Sequence, residues 1–283
     1  MAEWSSIIVE SKNGIARVIL NRPDRRNAFD QRMVEEVRAS FNQLAEDRSV
    51  RGVILTGVGP VFCAGADLRW LGQDRGPSED QARADARLLA GMYRAIDEYP
   101  HPVIGRIQGN AFGGGVGLLA VCDVVVAAEA ASFTLSEAQV GLIPAVIAPF
   151  LLRKAGDSFM RRFCLTAEPF SAAVARQFNL VHDVVGSDLL DGRIGELADA
   201  ILRLAPDATR QTKSLLRRLQ AEPAEQQEPL AIEANVRARL SPEAQEGLRA
   251  FVEKRPPAWR PVRTEQDSDS SHITALHGAS IRS

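Results

Sequence analysis

Two glycine-rich segments and one glutamate hold the residue types in this chain that can stabilise and move charge. The first segment, Phe62-Cys63-Ala64-Gly65-Ala66-Asp67-Leu68, follows an apolar run at 53–56 and a turn at 57–60. The second, Gly109-Asn110-Ala111-Phe112-Gly113-Gly114-Gly115-Val116-Gly117-Leu118, follows an apolar run at Val103–Ile107. In both, small residues fall where a strand gives way to a helix. Backbone N–H groups at such a place have no intrahelical partner. Without bulky side chains an anionic oxygen can approach them closely. Two such donors converging on one oxygen form an oxyanion hole, and removing one donor typically costs about 10²–10³ in rate. Glu137, in Ser132-Phe133-Thr134-Leu135-Ser136-Glu137, follows a short apolar run and precedes Val140-Gly141-Leu142-Ile143-Pro144. A carboxylate partly enclosed there has its pKa raised by desolvation and becomes a more useful base.

Each feature has a plainer reading. A glycine triplet by itself more often marks a turn or tight helix packing, and a lone glutamate is more often a surface carboxylate. A dinucleotide fingerprint is a further rival. From Gly113, G-x-G-x-x-G fails at Leu118; from Gly115, the looser form is met by Gly117 and Ala120. That match starts well past Ile107, whereas the fingerprint should open at the strand end. The joint occurrence of the two glycine segments, each after a strand, makes the signal specific.

The elements that must position these residues are legible in outline. Residues 6–10 and 15–20 are rich in β-branched side chains and flank Asn13-Gly14, a strong hairpin signal. Asn21-Arg22-Pro23 ends the second strand. From 30 to 47, Met33, Val34, Val37, Phe41, Leu44 and Ala45 recur at helical spacing. Further strands are expected at 53–56, 103–107 and 121–128, and a polar stretch at 71–87 reads as a loop becoming helix. The alternation predicts an α/β fold. After about Arg153 helical periodicity dominates to about Glu253. The expected organisation is a core at 1–200, a helical region at 201–263 and a flexible tail at 264–283. His272 and His277 in that tail are expected to be solvated rather than metal ligands.

Composition excludes several classes. The chain has 283 residues, 45% hydrophobic and 25% charged, with a net charge of −2. That balance gives no broad basic surface for nucleic acid. Cys63, Cys122 and Cys164 are odd in number, widely spaced and set in apolar segments, so they read as reduced and the setting as cytoplasmic. The N-terminus has no signal-peptide pattern. No apolar stretch reaches the roughly 18 residues that span a bilayer. The four histidines lack metal-ligand spacing.

The run Ile19-Leu20-Asn21-Arg22-Pro23-Asp24-Arg25-Arg26-Asn27-Ala28-Phe29 resembles the opening signature of the crotonase (enoyl-CoA hydratase/isomerase) superfamily. The segments Ala64-Gly65-Ala66-Asp67 and Gly113-Gly114-Gly115 are similar to its two oxyanion-hole loops, in the same order. Residues 244–254 and the following Arg-Pro-Pro-Ala-Trp resemble its C-terminal helix. The resemblance covers about residues 5–262. It implies a spiral of ββα repeats, a C-terminal helical trimerisation region, and a homotrimer or homohexamer. It also implies an acyl-CoA substrate, with no cofactor beyond that coenzyme A. Carried over by position, Ala66 and Gly114 supply the N–H donors to the thioester oxygen. Ala64, Asp67 and Leu68 shape the coenzyme A pocket, and Arg25 and Arg26 lie where relatives place a cation near its phosphates. Phe251 and Lys254 match positions that in relatives reach coenzyme A from a neighbouring subunit.

Typical hydratases of this superfamily carry two glutamates. The second corresponds to Glu137, whereas the first falls at Gly117. Isomerisation needs one base used twice, so the count of carboxylates favours an isomerase. Residues 113–118, 135–137, 141–145 and 148–150, with Gly65-Ala66-Asp67-Leu68-Arg69-Trp70, instead resemble hydratases of glutaconyl-type CoA esters, including that of leucine breakdown. The expected activity is therefore reversible hydration of an α,β-unsaturated acyl-CoA. A Δ3,Δ2-enoyl-CoA isomerase, and an acyl-CoA- or RNA-binding protein without turnover, stand as alternatives.

Overall fold

The computed structural model describes residues 4–72 and 77–260. Its strands, in chain order, are β1 (Ile7–Lys12), β2 (Ile15–Leu20), β3 (Gly52–Gly57), β4 (Val61–Cys63), β5 (Val103–Ile107), β6 (Asn110–Phe112), β7 (Val124–Ala128), β8 (Ser132–Thr134), β9 (Phe170–Ser171) and β10 (Asp183–Val185). The helices are α1 (Gln31–Glu46), α2 (Leu68–Leu71), α3 (Glu79–Asp97), α4 (Gly114–Val121), α5 (Ala148–Thr166), α6 (Ala172–Gln177), α7 (Leu190–Arg203), α8 (Pro206–Ala221), α9 (Ala224–Leu240) and α10 (Pro242–Val252).

One sheet runs in the order β1-β2-β3-β5-β7-β10, antiparallel only between β1 and β2. Asn13 and Gly14 both adopt positive φ, as their hairpin requires. Every residue of β3 is buried, as a strand covered on both faces must be. A second sheet runs β4-β6-β8-β9, with β4, β6 and β8 parallel and β9 antiparallel at the edge.

The connection between the sheets is regular. Each of β3, β5 and β7 passes directly to its counterpart β4, β6 or β8, and a helical segment then returns the chain. The strand–strand–helix unit repeats, and the ends of β4, β6 and β8 lie side by side. The α/β expectation holds, and the repeat explains why two glycine segments far apart in sequence become neighbours.

The helix expected at 30–47 is α1. Asp30 caps it by accepting from Met33 N at 3.0 Å, and Met33, Val34, Val37, Phe41 and Leu44 are buried. Gly115–Val121 of α4 are all buried, so this helix is enclosed on every side and needs no polar face.

The strand expected at 121–128 begins at Val124, because Val121 ends α4. Asp123 fixes the boundary, its carboxylate accepting from Val103 N at 2.7 Å. The polar stretch at 71–87 resolves into the end of α2 and the start of α3, the latter capped by Ser78; residues 73–76 lie outside the described ones. Strands β4, β6, β8, β9 and β10 were not expected; two or three residues are too few to show alternation. The C-terminal helices α8, α9 and α10 pack on one another. Lys213 joins them to the core, donating to Asp123 Oδ2 at 2.6 Å and to the His101 carbonyl at 3.2 Å. The tail at 264–283, with His272 and His277, lies outside the described residues. Among the described residues no helix is long and apolar enough to cross a membrane.

Candidate active site

The three loops that leave β4, β6 and β8 meet at one place. In the first, Phe29 donates to the Gly65 carbonyl and accepts from Asp67 N, both at 2.9 Å. This bridge takes the groups on either side of Ala66, so the Ala66 N–H points away from Phe29 and has no acceptor among the described residues. Gly65 holds φ at 81°, and a Cβ there would lie 2.6 Å from the Phe112 carbonyl oxygen and 3.2 Å from Gly114 N. Only glycine allows the two loops to approach so closely.

In the second loop, Gly113 donates to the Thr134 carbonyl at 2.8 Å, tying the end of β6 to that of β8. Gly114 is the first residue of α4, so its N–H has no intrahelical acceptor. The N–H groups of Ala66 and Gly114 are therefore both free, in loops packed against each other. These are the two residues to which the family resemblance assigns the oxyanion-hole donors.

The opening motif is the scaffold. Asn27, fully buried, accepts from Arg22 N at 3.0 Å through its side-chain oxygen. Its amide nitrogen donates to the carbonyls of Val58, Val61 and Phe62 at 2.9, 2.9 and 3.1 Å. Arg22 donates to the Ala28 carbonyl at 2.6 Å and pairs with Asp30 at 3.2 Å and Asp67 at 3.5 Å. These bonds lock the chain before and after the first loop.

Glu137 opens a short 3-10 turn, Glu137–Val140, at the end of the third loop. Its Oε1 lies 3.0 Å from where a Cβ on Gly113 would stand. Its Oε2 is buried with no hydrogen-bond partner among the described residues. Burial pushes the Glu137 carboxyl above the usual carboxylate range, and its own backbone N–H only partly offsets this. A half-buried carboxylate with one oxygen uncommitted among the described residues thus stands beside Gly113, the residue before Gly114.

Gly117, one turn into α4, has no room for a side chain. A Cβ there would lie 2.3 Å from Ile147 Cγ2 and 3.1 Å from Tyr93 Cε1. Tyr93, on α3, is 1% exposed and donates to the Gly114 carbonyl at 2.7 Å. Sequence reading assigned no part to Tyr93, set Ile147 only within a pocket-wall stretch around 145–150, and gave no part to Asn27. The first two lie in different elements from α4, and no spacing rule links them to it.

The other predicted residues are placed unevenly. Ala64 belongs to the first loop, donating to the Arg26 carbonyl at 2.9 Å. Arg26 thus reaches the loop through its backbone, at φ 52°, while its side chain is exposed. Arg25 is exposed and 3.5 Å from Asp24. Asp67, expected to help shape the coenzyme A pocket, commits its carboxylate to Arg22 and to capping α2 through Arg69 N at 3.0 Å. Leu68 is 58% exposed at the start of α2. Phe251 is 84% exposed on α10, and Lys254 lies just beyond it. Within one chain α10 packs on α8 and α9.

Stacked ββα units whose loops carry N–H groups without acceptors among the described residues, near a half-buried carboxylate, set the fold and site beside those of known proteins. The sequence profile described as enoyl-CoA hydratase/isomerase matches residues 10–262. The mevalonyl-coenzyme A hydratase of Aspergillus fumigatus is 34% identical, over 88% of this chain and 92% of its own length. The 2,3-dehydroadipyl-CoA hydratase of Escherichia coli is 31% identical, over 90% of this chain and 99% of its own. The crystal structure of an enoyl-CoA hydratase from Shewanella pealeana superposes with a TM-score of 0.87 at 37% identity, covering 91% of this chain and 97% of that one. The chain belongs to the enoyl-CoA hydratase/isomerase family.

Proposed function

We propose that this protein adds water reversibly to an α,β-unsaturated acyl-CoA, with Glu137 as base and acid and the N–H groups of Ala66 and Gly114 holding the enolate. Glu137 takes a proton from water as the oxygen attacks the β-carbon. The displaced electron pair moves onto the thioester oxygen, which the two N–H groups stabilise as it becomes negative. The enolate then collapses as Glu137 returns the proton to the α-carbon. No cofactor is needed beyond the coenzyme A that the substrate carries.

The observation that carries this reading is the Glu137 carboxylate, with Oε1 against Gly113 and a buried Oε2 that has no partner among the described residues. A buried acceptor left unpaired costs roughly 1–3 kcal/mol, and a water or substrate proton would satisfy it. The substrate class favoured is a glutaconyl-type ester with a distal carboxylate. Resemblance at 141–145 and 148–150 supports it, and the dehydroadipyl ester named for the Escherichia coli relative is also of a dicarboxylic acid. Exposed apolar residues along α9 and α10 support assembly as a homotrimer or homohexamer, in which a neighbour's Phe251 and Lys254 would reach coenzyme A. Three free cysteines fit a cytoplasmic setting.

The filled space at Gly117 favours a second reading, a Δ3,Δ2-enoyl-CoA isomerase, because one carboxylate suffices for proton transfer between carbons. Mass spectrometry after incubation with crotonyl-CoA, 3-methylglutaconyl-CoA and a β,γ-unsaturated ester separates the two. A product heavier by one water identifies the hydratase. Conversion of the β,γ-ester alone to an isobaric isomer identifies the isomerase. Tight ester binding with no conversion would leave neither.

A further inference from the structure

Tyr93 touches both ends of the first turn of α4. Its hydroxyl donates to the Gly114 carbonyl at 2.7 Å and lies 2.8 Å from where a Cβ on Gly114 would stand. Its ring edge reaches within 3.1 Å of the corresponding point on Gly117. Phe150 packs against the ring, with centroids 6.0 Å apart, and Ile147 closes the remaining side of Gly117. A tyrosine used only to fill space would not need a polar atom at the first residue of α4, whose N–H has no intrahelical acceptor.

We propose that Tyr93 is a positioning residue of the oxyanion hole, its hydroxyl fixing Gly114 so that the Gly114 N–H is aimed before substrate arrives. This rests on the reading of Ala66 and Gly114 as enolate donors. The Gly114 carbonyl and N–H lie in the two peptides on either side of one glycine Cα, and glycine's wide conformational freedom lets those peptides turn against each other. The hydroxyl bond removes that freedom without touching the substrate. Burial and the neighbouring Cys63 and Glu137 hold the phenol well above its usual pKa, so it stays a donor throughout the working range. A preorganised donor stabilises developing charge without reorganising during the reaction, and small displacements are costly.

The test is Tyr93→Phe, which removes the hydroxyl and keeps the ring. Four quantities are measured: kcat and KM for the enoyl ester the wild type converts, the thermal midpoint, and the ultraviolet absorption of a bound 3-aryl-acryloyl-CoA. That conjugated thioester absorbs at longer wavelength as its carbonyl is polarised. The expected result is a kcat lowered roughly 10-fold, less than the 10²–10³ for losing a donor itself. KM should stay within about twofold, and the red shift of the bound ester should shrink. An unchanged red shift and kcat would overturn the proposal, as would equal losses of affinity and thermal midpoint with the red shift intact.

A second measurement holds even if that variant does not fold. The chain has two tyrosines, Tyr93 and Tyr99, so replacement by 3-fluorotyrosine gives two fluorine resonances, assigned by Tyr99→Phe. Binding of the aryl ester should move the Tyr93 resonance, and an unmoved one would reject the role. A wild type that converts no enoyl ester yet polarises the bound aryl ester would fail the hydratase reading and leave the Tyr93 assignment standing.

Discussion

Glu137 is held where water is scarce, one oxygen against Gly113 and the other without a partner. Burial favours its protonated form, so activity that needs the carboxylate should fall as pH drops through a value above the ordinary glutamate range. A pH profile of kcat/KM should place its acid limb there. Glu137→Gln should lower kcat by about 10²–10⁴ with KM little changed. The same substitution should raise the thermal midpoint at neutral pH by roughly a few degrees. The sign follows from linkage: a carboxyl with a raised folded-state pKa destabilises the fold once ionised, and the penalty vanishes below its unfolded pKa. Calorimetry at neutral and acid pH should therefore show the gain only at the former. Gly65→Ala should lower kcat by about 10²–10³, since its Cβ would meet the Phe112 carbonyl at 2.6 Å and displace the Ala66 loop. The two glycine-rich segments and Glu137 stood out by residue type and local setting, whereas Ala66 and Gly114 were singled out within them only by family resemblance. The contacts of Tyr93 and Ile147 with α4 were not legible, because these residues reach it from helices 21 and 30 residues from Gly114 and Gly117 respectively, a contact only tertiary packing creates.

At the scale of elements, the ordering of β4, β6 and β8 brings the three loops together. The longer strands β3 and β5 and helix α1 could be read from periodicity, within a residue or two. Strand β6 could not, since three residues between two glycine-bearing turns show no alternation. Its omission hid the reason the second loop sits beside the first. The wall at Gly117 also belongs here, where α4 meets α3 and the start of α5. Gly117→Glu alone should destabilise the fold by about 1–3 kcal/mol, because Ile147 Cγ2 occupies the space its Cβ needs. Adding Ile147→Ala should recover part of that loss, so the pair should be non-additive in denaturant titration. Strict additivity would show that Ile147 does not fill the space.

Across the whole molecule, the C-terminal helices leave apolar residues uncovered in one chain, among them Ile232, Val236 and Leu240 on α9 at four-residue spacing. A row of this kind suits burial against another copy. Sedimentation should give three or six chains for the wild type, and Val236→Glu should shift the distribution to smaller species. Helical character after about 153 was legible from the sequence, whereas the way Lys213 ties α8 to Asp123 and His101 was not, since those partners lie 90 and 112 residues away. The proposed hydration depends on Glu137 moving protons beside a backbone hole that binds the ester without it. The most direct test follows wild type and Glu137→Gln in heavy-oxygen water with one enoyl-CoA ester, measuring label in the product and affinity for that product in parallel. The prediction is label in the wild-type product, almost none with the variant, and affinities within about threefold of each other. Equal labelling by both proteins would contradict the account.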